Sequence, residues 1–224
     1  MFQVIRKNVW LMTNRERAKE TYRIYSDLEG NQHIASQFAL EKVLDLIELN
    51  NPKKILELGL GIGSISHAVF NFLKNKSISC EYFGTEANEY CLSQLRNNLG
   101  EFYHQLNLFP SLEKIPSGNK FDLIIIDGKD DSLIRIADLI SKNGVLFIEG
   151  DRLPQQSLIL DLFPKALFVH LISDFRNPEY GPFPASSWSG GGKLIYSSPN
   201  STQKLNWAFE KVRSSLRARI SRRF

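Results

Sequence analysis

Residues 53–64 read Lys53-Lys54-Ile55-Leu56-Glu57-Leu58-Gly59-Leu60-Gly61-Ile62-Gly63-Ser64. The first half predicts a short apolar strand, and the glycines predict a tight turn that runs into a helix beginning near residues 62–64. Because glycine has no side chain, backbone in such a turn can come close to a ligand, and the helix behind it offers unpaired N–H groups. Strand, turn and helix together predict a nucleotide or nucleoside site at the carboxyl end of a parallel sheet.

The spacing of the glycines bears on which nucleotide is bound. The pattern is G-x-G-x-G with an acid two residues before it, whereas dinucleotide sites carry G-x-G-x-x-G, and no Gly-Lys-Ser/Thr follows as a Walker A loop requires. The stretch resembles motif I of the class I S-adenosylmethionine (SAM)-dependent methyltransferases. The resemblance implies that Gly59, Gly61, Gly63 and Ser64 lie beside the methionine part of SAM and that Glu57 helps to hold its amino-acid end. A strand-to-helix turn without a ligand is the alternative.

The next predicted strand, residues 79–85, ends at an acid. Glu86 lies where a carboxylate can accept both ribose hydroxyls of a nucleoside, which suits NAD as well as SAM. Its alternative role is to cap the helix predicted over residues 88–99. A third strand is expected near residues 102–107, and the family resemblance puts Asn107 near the adenine.

The second strong signal is KFDLIIIDG at residues 120–128. Its continuous apolar run predicts a central parallel strand that is covered on both faces. The phrase resembles motif IV of the O-methylating branch of the family, which implies that Asp127 lies close to the transferred methyl group. Asp127 is therefore the first candidate for a base or orienting group, and Lys129 is the second. A helix cap is the alternative for Asp127.

A third acid cluster follows the strand predicted at residues 145–148. In the metal-dependent catechol-type enzymes that this chain resembles, carboxylates at the ends of the fourth and fifth strands hold magnesium, which prefers oxygen ligands. The resemblance assigns Asp127, Glu149 and Asp151 as ligands, although Gly150 stands where that family has asparagine. A site without metal would instead protonate one acid or pair it with Lys129 or Arg152.

Composition and charge describe one ordinary domain with appendages. The chain has 224 residues, is 42% hydrophobic and carries a net charge of +4, with no apolar run long enough to span a bilayer. Cys80 and Cys91 lack metal or redox spacing, so we expect reduced thiols in a cytoplasmic protein. Residues 204–224 contain seven basic side chains and one acid, which is +6, so the remainder of the chain carries −2.

The chain divides into three predicted parts. Residues 1–35 are expected to form an N-terminal lid or appendage, residues 36–199 the methyltransferase domain, and residues 202–224 a basic amphipathic helix. The helix carries apolar residues at Leu205, Phe209, Val212, Leu216 and Ile220. It can dock on the domain, form a homodimer, or bind an anionic surface such as a membrane or nucleic acid. The loop at 174–188 is rich in proline and aromatic residues and is expected either to border the acceptor pocket or to pack on the core.

These patterns predict an α/β fold: a doubly wound, mostly parallel seven-stranded Rossmann-like sheet with helices on both faces. Further helices are expected at residues 37–49, 132–141 and 155–162, and further strands at 166–172 and 193–196. The implied function is SAM-dependent methyl transfer, by in-line attack, to an oxygen of a small-molecule acceptor. Alternatives are transfer of an aminopropyl group on the same fold and a binding module that acts through the basic helix.

Overall fold

A computed structural model describes residues 12–221. Its single sheet has the strand order β3-β2-β1-β4-β5-β7-β6, in which β7 runs antiparallel to both of its neighbours. The strands are β1 (Lys54–Leu58), β2 (Glu81–Thr85), β3 (Leu106–Phe109), β4 (Phe121–Ile126), β5 (Ile140–Glu149), β6 (Leu167–Ile172) and β7 (Gly191–Tyr196). This arrangement confirms the predicted doubly wound, mostly parallel seven-stranded sheet.

Helices cover both faces of the sheet, as two separate buried clusters show. The helices are α1 (Asn14–Ser26), α2 (Gln37–Asn50), α3 (Ser64–Lys76), α4 (Glu89–Leu99), α5 (Ile136–Leu139), α6 (Leu153–Leu162) and α7 (Ser201–Ser221). Side chains from α1 to α4 pack on one face, and side chains from α5 and α6 pack on the other. Along β4, Leu123 and Ile125 join the first cluster, and Ile124 and Ile126 join the second. Strand alternation therefore explains why β4 is apolar throughout.

The N-terminal part of the chain belongs to the same core. Tyr22 and Tyr25 of α1 are buried in the cluster that α2 and α3 also enter. Residues 14–26 are thus a packed layer of the domain rather than an appendage. The first eleven residues of the predicted N-terminal segment lie outside the described residues. No helix of residues 12–221 combines the length and the apolar composition that crossing a bilayer requires.

Two predicted elements differ from those observed. Gly100–Gln105 forms a 3-10 helix, so β3 begins only at Leu106. The predicted helix at 132–141 shrinks to a 3-10 turn, Leu133–Arg135, followed by the short α5, because β5 already begins at Ile140, where it pairs with Phe121 of β4. Inside β5 the backbone is irregular at Asn143, which has φ +64°. Long-range strand pairing has overridden the local helical pattern.

Candidate active site

A cavity of about 600 Å³ lies at the carboxyl ends of the parallel strands. Near the ends of β1 and β2 it is lined by Gly59, Gly61, Thr85, Glu86, Asn88 and Pro110. Near the ends of β4 and β5, and under the loop before β7, it is lined by Asp127, Lys129, Glu149, Arg152, Asn177 and Trp188. Because β1 and β4 are neighbours, the two halves form one continuous space. Ligands of doubly wound folds bind at this edge of the sheet.

The glycine turn connects β1 to α3 with a conformation that requires glycine. Gly59, Gly61 and Gly63 have φ of +85°, +54° and +98°. A Cβ on Gly59 would lie 2.6 Å from Cα of Gly128, and one on Gly61 would collide with the carbonyl oxygen of His33. The turn therefore serves chain packing as well as ligand approach. Gly59 and Gly61 border the cavity, whereas Gly63 caps α3 beneath the turn and faces Leu95.

Glu86 follows β2 and borders the cavity. Its Oε2 accepts a hydrogen bond from Gly61 N at 2.7 Å, and its Oε1 accepts from the backbone N–H groups of Ala87 and Asn88. The helix that follows is capped by Asn88, whose side chain accepts from Cys91 N. Glu86 is thus not the side-chain cap of α4. It holds the glycine turn to the end of β2, and its carboxylate oxygens keep lone pairs for further donors.

Besides Gly63, three residues predicted to bind the cofactor do not line the cavity. Glu57 is fully buried and accepts hydrogen bonds from Ser66 Oγ at 2.6 Å and from the hydroxyl of Tyr82. Ser64 Oγ accepts from Ala35 N, which ties the chain before α2 to the start of α3. Asn107 is exposed on β3 and donates its amide to Tyr82 O at 3.0 Å. The structure gives these side chains structural positions in place of the predicted cofactor contacts.

Burial raises the pKa of Glu57. Loss of hydration raises the pKa of Glu57 from 4.5 to about 8, although Ser66 and Tyr82 donate to its carboxyl group. A carboxyl group with a higher pKa in the folded state favours folding in its protonated form. This contribution is fully present below the unfolded pKa near 4.5 and is lost as the pH rises towards 8.

Glu57→Gln is therefore expected to flatten the pH dependence of stability. The wild-type protein should lose unfolding free energy as the pH rises towards about 8, by about 1.4 kcal/mol for each unit of pKa shift that the folded state retains. The neutral variant should lack the part of this loss that Glu57 contributes and keep the part that comes from Asp127, whose pKa burial also raises. Urea unfolding at a series of pH values measures it, with the exposed Glu81→Gln as the control. Parallel curves for wild type and Glu57→Gln would contradict a raised pKa at this site.

Asp127 and Glu149 meet an arginine at the other half of the cavity. Arg152 Nη2 donates to Asp127 Oδ1 at 2.9 Å and to its backbone carbonyl, while Nε donates to Glu149 O at 3.1 Å. Ser36 donates its hydroxyl to Glu149 Oε1 at 2.9 Å. Burial and the nearby Glu149 carboxylate raise the pKa of Asp127, and the Arg152 guanidinium opposes them. The sequence allowed two metal-free arrangements: protonation of one acid, or pairing of an acid with a basic side chain. The structure shows the second, because Asp127 pairs with Arg152.

Of the three predicted magnesium ligands, Asp127 and Glu149 line the cavity, but Asp151 is not brought to them. Asp151 is turned outwards with 83% of its side chain exposed, and it pairs with Lys193 Nζ at 3.1 Å. Gly150, at φ +67°, reverses the chain just before it. Asp127 already forms an ion pair with Arg152. Within residues 12–221, no group of three or more His, Cys, Asp or Glu side chains is arranged to hold a metal ion. Asp127, Glu149 and Asp151 therefore do not form the predicted magnesium site.

The loop at 174–188 and the chain before α2 close the cavity. Asn177 Nδ2 donates to Pro184 O and to Ser187 Oγ, and Arg176 pairs with Trp188 across the loop. The expectation that this loop borders the predicted acceptor pocket agrees with its position, since Asn177, Phe183 and Trp188 line the cavity. Lys129 is exposed at the rim.

Sequence reasoning missed Ser36 as a cavity residue. Its hydroxyl also caps α2 by accepting from Ala39 N. The contact with Glu149 spans 113 residues of sequence and leaves no local signal.

Comparison with protein-family models and with curated protein sequences gives no match. Solved structures do match in fold. An O-methyltransferase from Bacillus cereus in complex with SAH (S-adenosylhomocysteine) superposes with a TM-score of 0.58 at 14% identity, covering 80% of this chain and 90% of that chain. The O-methyltransferase TomG from Streptomyces achromogenes, in complex with SAM, gives 0.56 at 13% identity over 88% and 93%. The tRNA (m1A58) methyltransferase TrmI from Aquifex aeolicus gives 0.57 at 13% identity over 80% and 75%.

At 13–14% identity, these structures are similar to this chain in fold. Their likeness extends over most of each chain, and it agrees with the strand order β3-β2-β1-β4-β5-β7-β6 that the structure has. The chain adopts the Rossmann-like fold of the class I SAM-dependent methyltransferases.

Proposed function

We propose that this protein transfers a methyl group from SAM to an oxygen atom of a small molecule. The observation that carries the proposal is the single cavity that joins the glycine turn and Glu86 at one end to Asp127, Glu149 and Arg152 at the other. The first end suits a nucleoside, and the second carries acid–base groups. The named O-methyltransferases with SAH or SAM bound support the choice of cofactor.

The cofactor is proposed to lie along the ends of β1 and β2. Glu86 borders this part of the cavity and can accept the ribose hydroxyls. The backbone N–H groups of residues 59–63 already donate within the protein. The methionine carboxylate is therefore favoured only by the partial positive charge at the N-terminus of α3. Glu57 acts indirectly in this proposal, since it holds α3 against β2 through Ser66 and Tyr82.

The acceptor is proposed to lie between Asp127 and the loop at 174–188. Phe183 and Trp188 add apolar surface there, and Asn177 adds a polar group. Outside residues 204–224 the chain carries a net charge of −2, which disfavours a nucleic-acid acceptor that must be held through its phosphates. A hydroxylated small molecule suits this half of the cavity better.

In the proposed reaction, the hydroxyl oxygen of the acceptor attacks the methyl carbon of SAM. The carbon–sulfur bond breaks, its electron pair passes to the sulfonium sulfur, and the hydroxyl proton passes to the Asp127 carboxylate. A raised pKa makes Asp127 a stronger base than a free aspartate. Arg152 orients this carboxylate and supplies the positive charge that allows Glu149 to lie nearby.

Calorimetry with SAM, SAH, decarboxylated SAM and NAD tests the choice of cofactor. SAM and SAH are expected to bind with micromolar affinity and NAD is not, because the glycine spacing lacks the dinucleotide pattern. Preference for decarboxylated SAM would point to aminopropyl transfer. NAD binding without SAM binding would contradict the proposal. A screen of hydroxylated acceptors with methyl-labelled SAM then identifies the substrate class.

A further inference from the structure

The C-terminal helix α7 docks on the domain through one face. The residues of this inner face recur with a spacing of four and three along the helix. Trp207 Nε1 donates to Phe168 O at 2.8 Å, Gln203 Nε2 donates to Asn143 O at 2.7 Å, and Arg217 Nη1 donates to Ile172 O at 3.0 Å. The inner face comprises Gln203, Trp207, Glu210, Ser214 and Arg217. The helix is thus anchored to edge strand β6 and its surroundings largely by polar contacts.

The apolar residues of α7 lie on the opposite side. We call Leu205, Phe209, Val212 and Leu216 the outer stripe; their exposed fractions are 72%, 66%, 62% and 54%. The outer stripe has the same spacing as the inner face but begins two residues later, which is about 200° around an α-helix. A helix that packs on a domain normally turns its apolar stripe inwards. In α7 Leu205, Val212 and Leu216 point away from the domain, and Phe209, although 66% exposed, also borders a small cavity beside Leu46 and Leu194.

Basic side chains border the outer stripe. Lys204, Lys211 and Arg219 are exposed on α7, and the sequence continues with Arg222 and Arg223. Glu210 is the one acid in the sequence of α7, and it lies on the inner face, where it pairs with Arg213. Positive charge therefore flanks the outer stripe, with Lys211 Nζ lying 4.7 Å from the centre of the Trp207 ring.

We propose that the outer stripe docks α7 on an anionic membrane surface, with its axis in the plane of the headgroups. Leucine, phenylalanine and valine would enter the boundary between headgroups and acyl chains, while lysine and arginine contact anionic headgroups. This occupant matches both the outer stripe and the positive charge that flanks it. It is independent of the methyl-transfer proposal, because α7 does not line the catalytic cavity.

A second copy of the chain matches the outer stripe less well. Four side chains in one stripe form a narrow contact, whereas an ordinary stable interface buries ~800 Å² per partner. Pairing two copies of α7 through this stripe would also bring lysines and arginines of both helices together without acids to oppose them. A nucleic acid would use the positive charge but not the apolar stripe.

Flotation of the full-length protein with lipid vesicles tests the proposal. Binding is expected to vesicles of phosphatidylcholine with phosphatidylglycerol, to weaken as salt is added, and to be far weaker with phosphatidylcholine alone. The double substitution Phe209→Gln and Leu216→Gln should lower vesicle affinity by about tenfold or more, because two large apolar side chains no longer enter the lipid. Substituting Lys204, Lys211 and Arg219 by glutamine should lower it by about fivefold per charge.

The control substitutes two exposed isoleucines outside α7, Ile24→Gln and Ile134→Gln, which are 47% and 60% exposed. This variant should bind vesicles like the wild type. Thermal unfolding checks that all variants remain folded, which is expected because every changed side chain is exposed. Equal vesicle binding by wild type and the outer-stripe variant would overturn the proposal, as would failure of the wild type to bind. A dimer that dissociates in the outer-stripe variant, without vesicle binding, would assign the surface to a second copy. RNA binding that only the charge variant loses, without vesicle binding, would assign it to nucleic acid.

Discussion

Replacing Asp127 with asparagine is expected to lower kcat by about 10²–10⁴-fold, the usual contribution of a positioned general base. The affinity for SAM should not change, because Asp127 lies at the end of β4 and the nucleoside is proposed to lie at the ends of β1 and β2. The substitution keeps the side-chain volume, so a collapsed cavity would not explain the loss. Single-turnover kinetics with labelled SAM measure the chemical step, and calorimetry measures the affinity for SAM.

Asp151→Asn is the matched control for this prediction. Asp151 is exposed and pairs with Lys193 outside the cavity, so its loss should leave kcat unchanged. A chelator should have no effect either, because Arg152 occupies the carboxylate that a magnesium ion would need. If chelation stops methyl transfer and magnesium restores it, or if Asp127→Asn keeps full activity on a genuine acceptor, the proposed role of Asp127 as a metal-free base is wrong.

The pH profile separates a base from a merely structural acid. Activity should rise with pH as Asp127 loses its proton, since only the carboxylate can accept one. Arg152 lowers the pKa of Asp127 against the raising effects of burial and Glu149. Arg152→Gln should therefore move the rising limb of kcat/KM to higher pH. If Arg152→Gln lowers kcat/KM without moving its rising limb along the pH axis, Arg152 acts on folding or acceptor binding alone.

Glu86→Ala is expected to weaken SAM binding by about 1–3 kcal/mol, a rise in Kd of about 5- to 150-fold. Glu86 borders the nucleoside end of the cavity, and hydrogen bonds from ribose hydroxyls to its carboxylate would be lost. The control is Glu89→Ala, which removes the same charge from an exposed position at the start of α4. Unchanged SAM affinity in folded Glu86→Ala would remove this residue from the site.

Glu86 also accepts a hydrogen bond from Gly61 N, so the variant can weaken binding through the turn instead. An SAH analogue without the ribose hydroxyls distinguishes the two routes. If Glu86 binds the ribose, wild type should discriminate strongly between SAH and this analogue, and Glu86→Ala should not. If discrimination is the same in both proteins, Glu86 acts only by holding the turn.

Patterns along the chain predicted the sheet and the position of the cavity. The period of the apolar residues and the glycine turn located β1, β2 and β4 to within a few residues. Because parallel strands end at one edge, the acids that follow β2, β4 and β5 could be expected near one another, and Glu86, Asp127 and Glu149 do line one cavity. Strand positions along the chain depend on regular local signals, which the sequence carries, whereas the order of the strands in the sheet was seen only in the structure.

The direction of individual side chains depended on tertiary packing. Glu57 alternates with Leu56 and Leu58 along β1, and those leucines pack on the face that α5 and α6 cover. Glu57 therefore faces the opposite, α3-covered side, where Ser66 and Tyr82 receive its carboxyl group. Asp151 is exposed and pairs with Lys193 of β7, and Asp127 pairs with Arg152. These contacts join residues between 9 and 42 positions apart in sequence, so motif spacing alone did not specify them.

In the C-terminal helix, the sequence determines one property and tertiary packing determines another. The spacing of Leu205, Phe209, Val212 and Leu216 determines that α7 has an apolar stripe, because 3.6 residues per turn align these positions. It does not determine which face meets the domain. That choice was made by the tertiary contacts of Gln203, Trp207 and Arg217, whose hydrogen bonds to backbone carbonyls anchor the polar face on the domain. The apolar stripe faces outwards because the partners of these polar side chains lie on the domain.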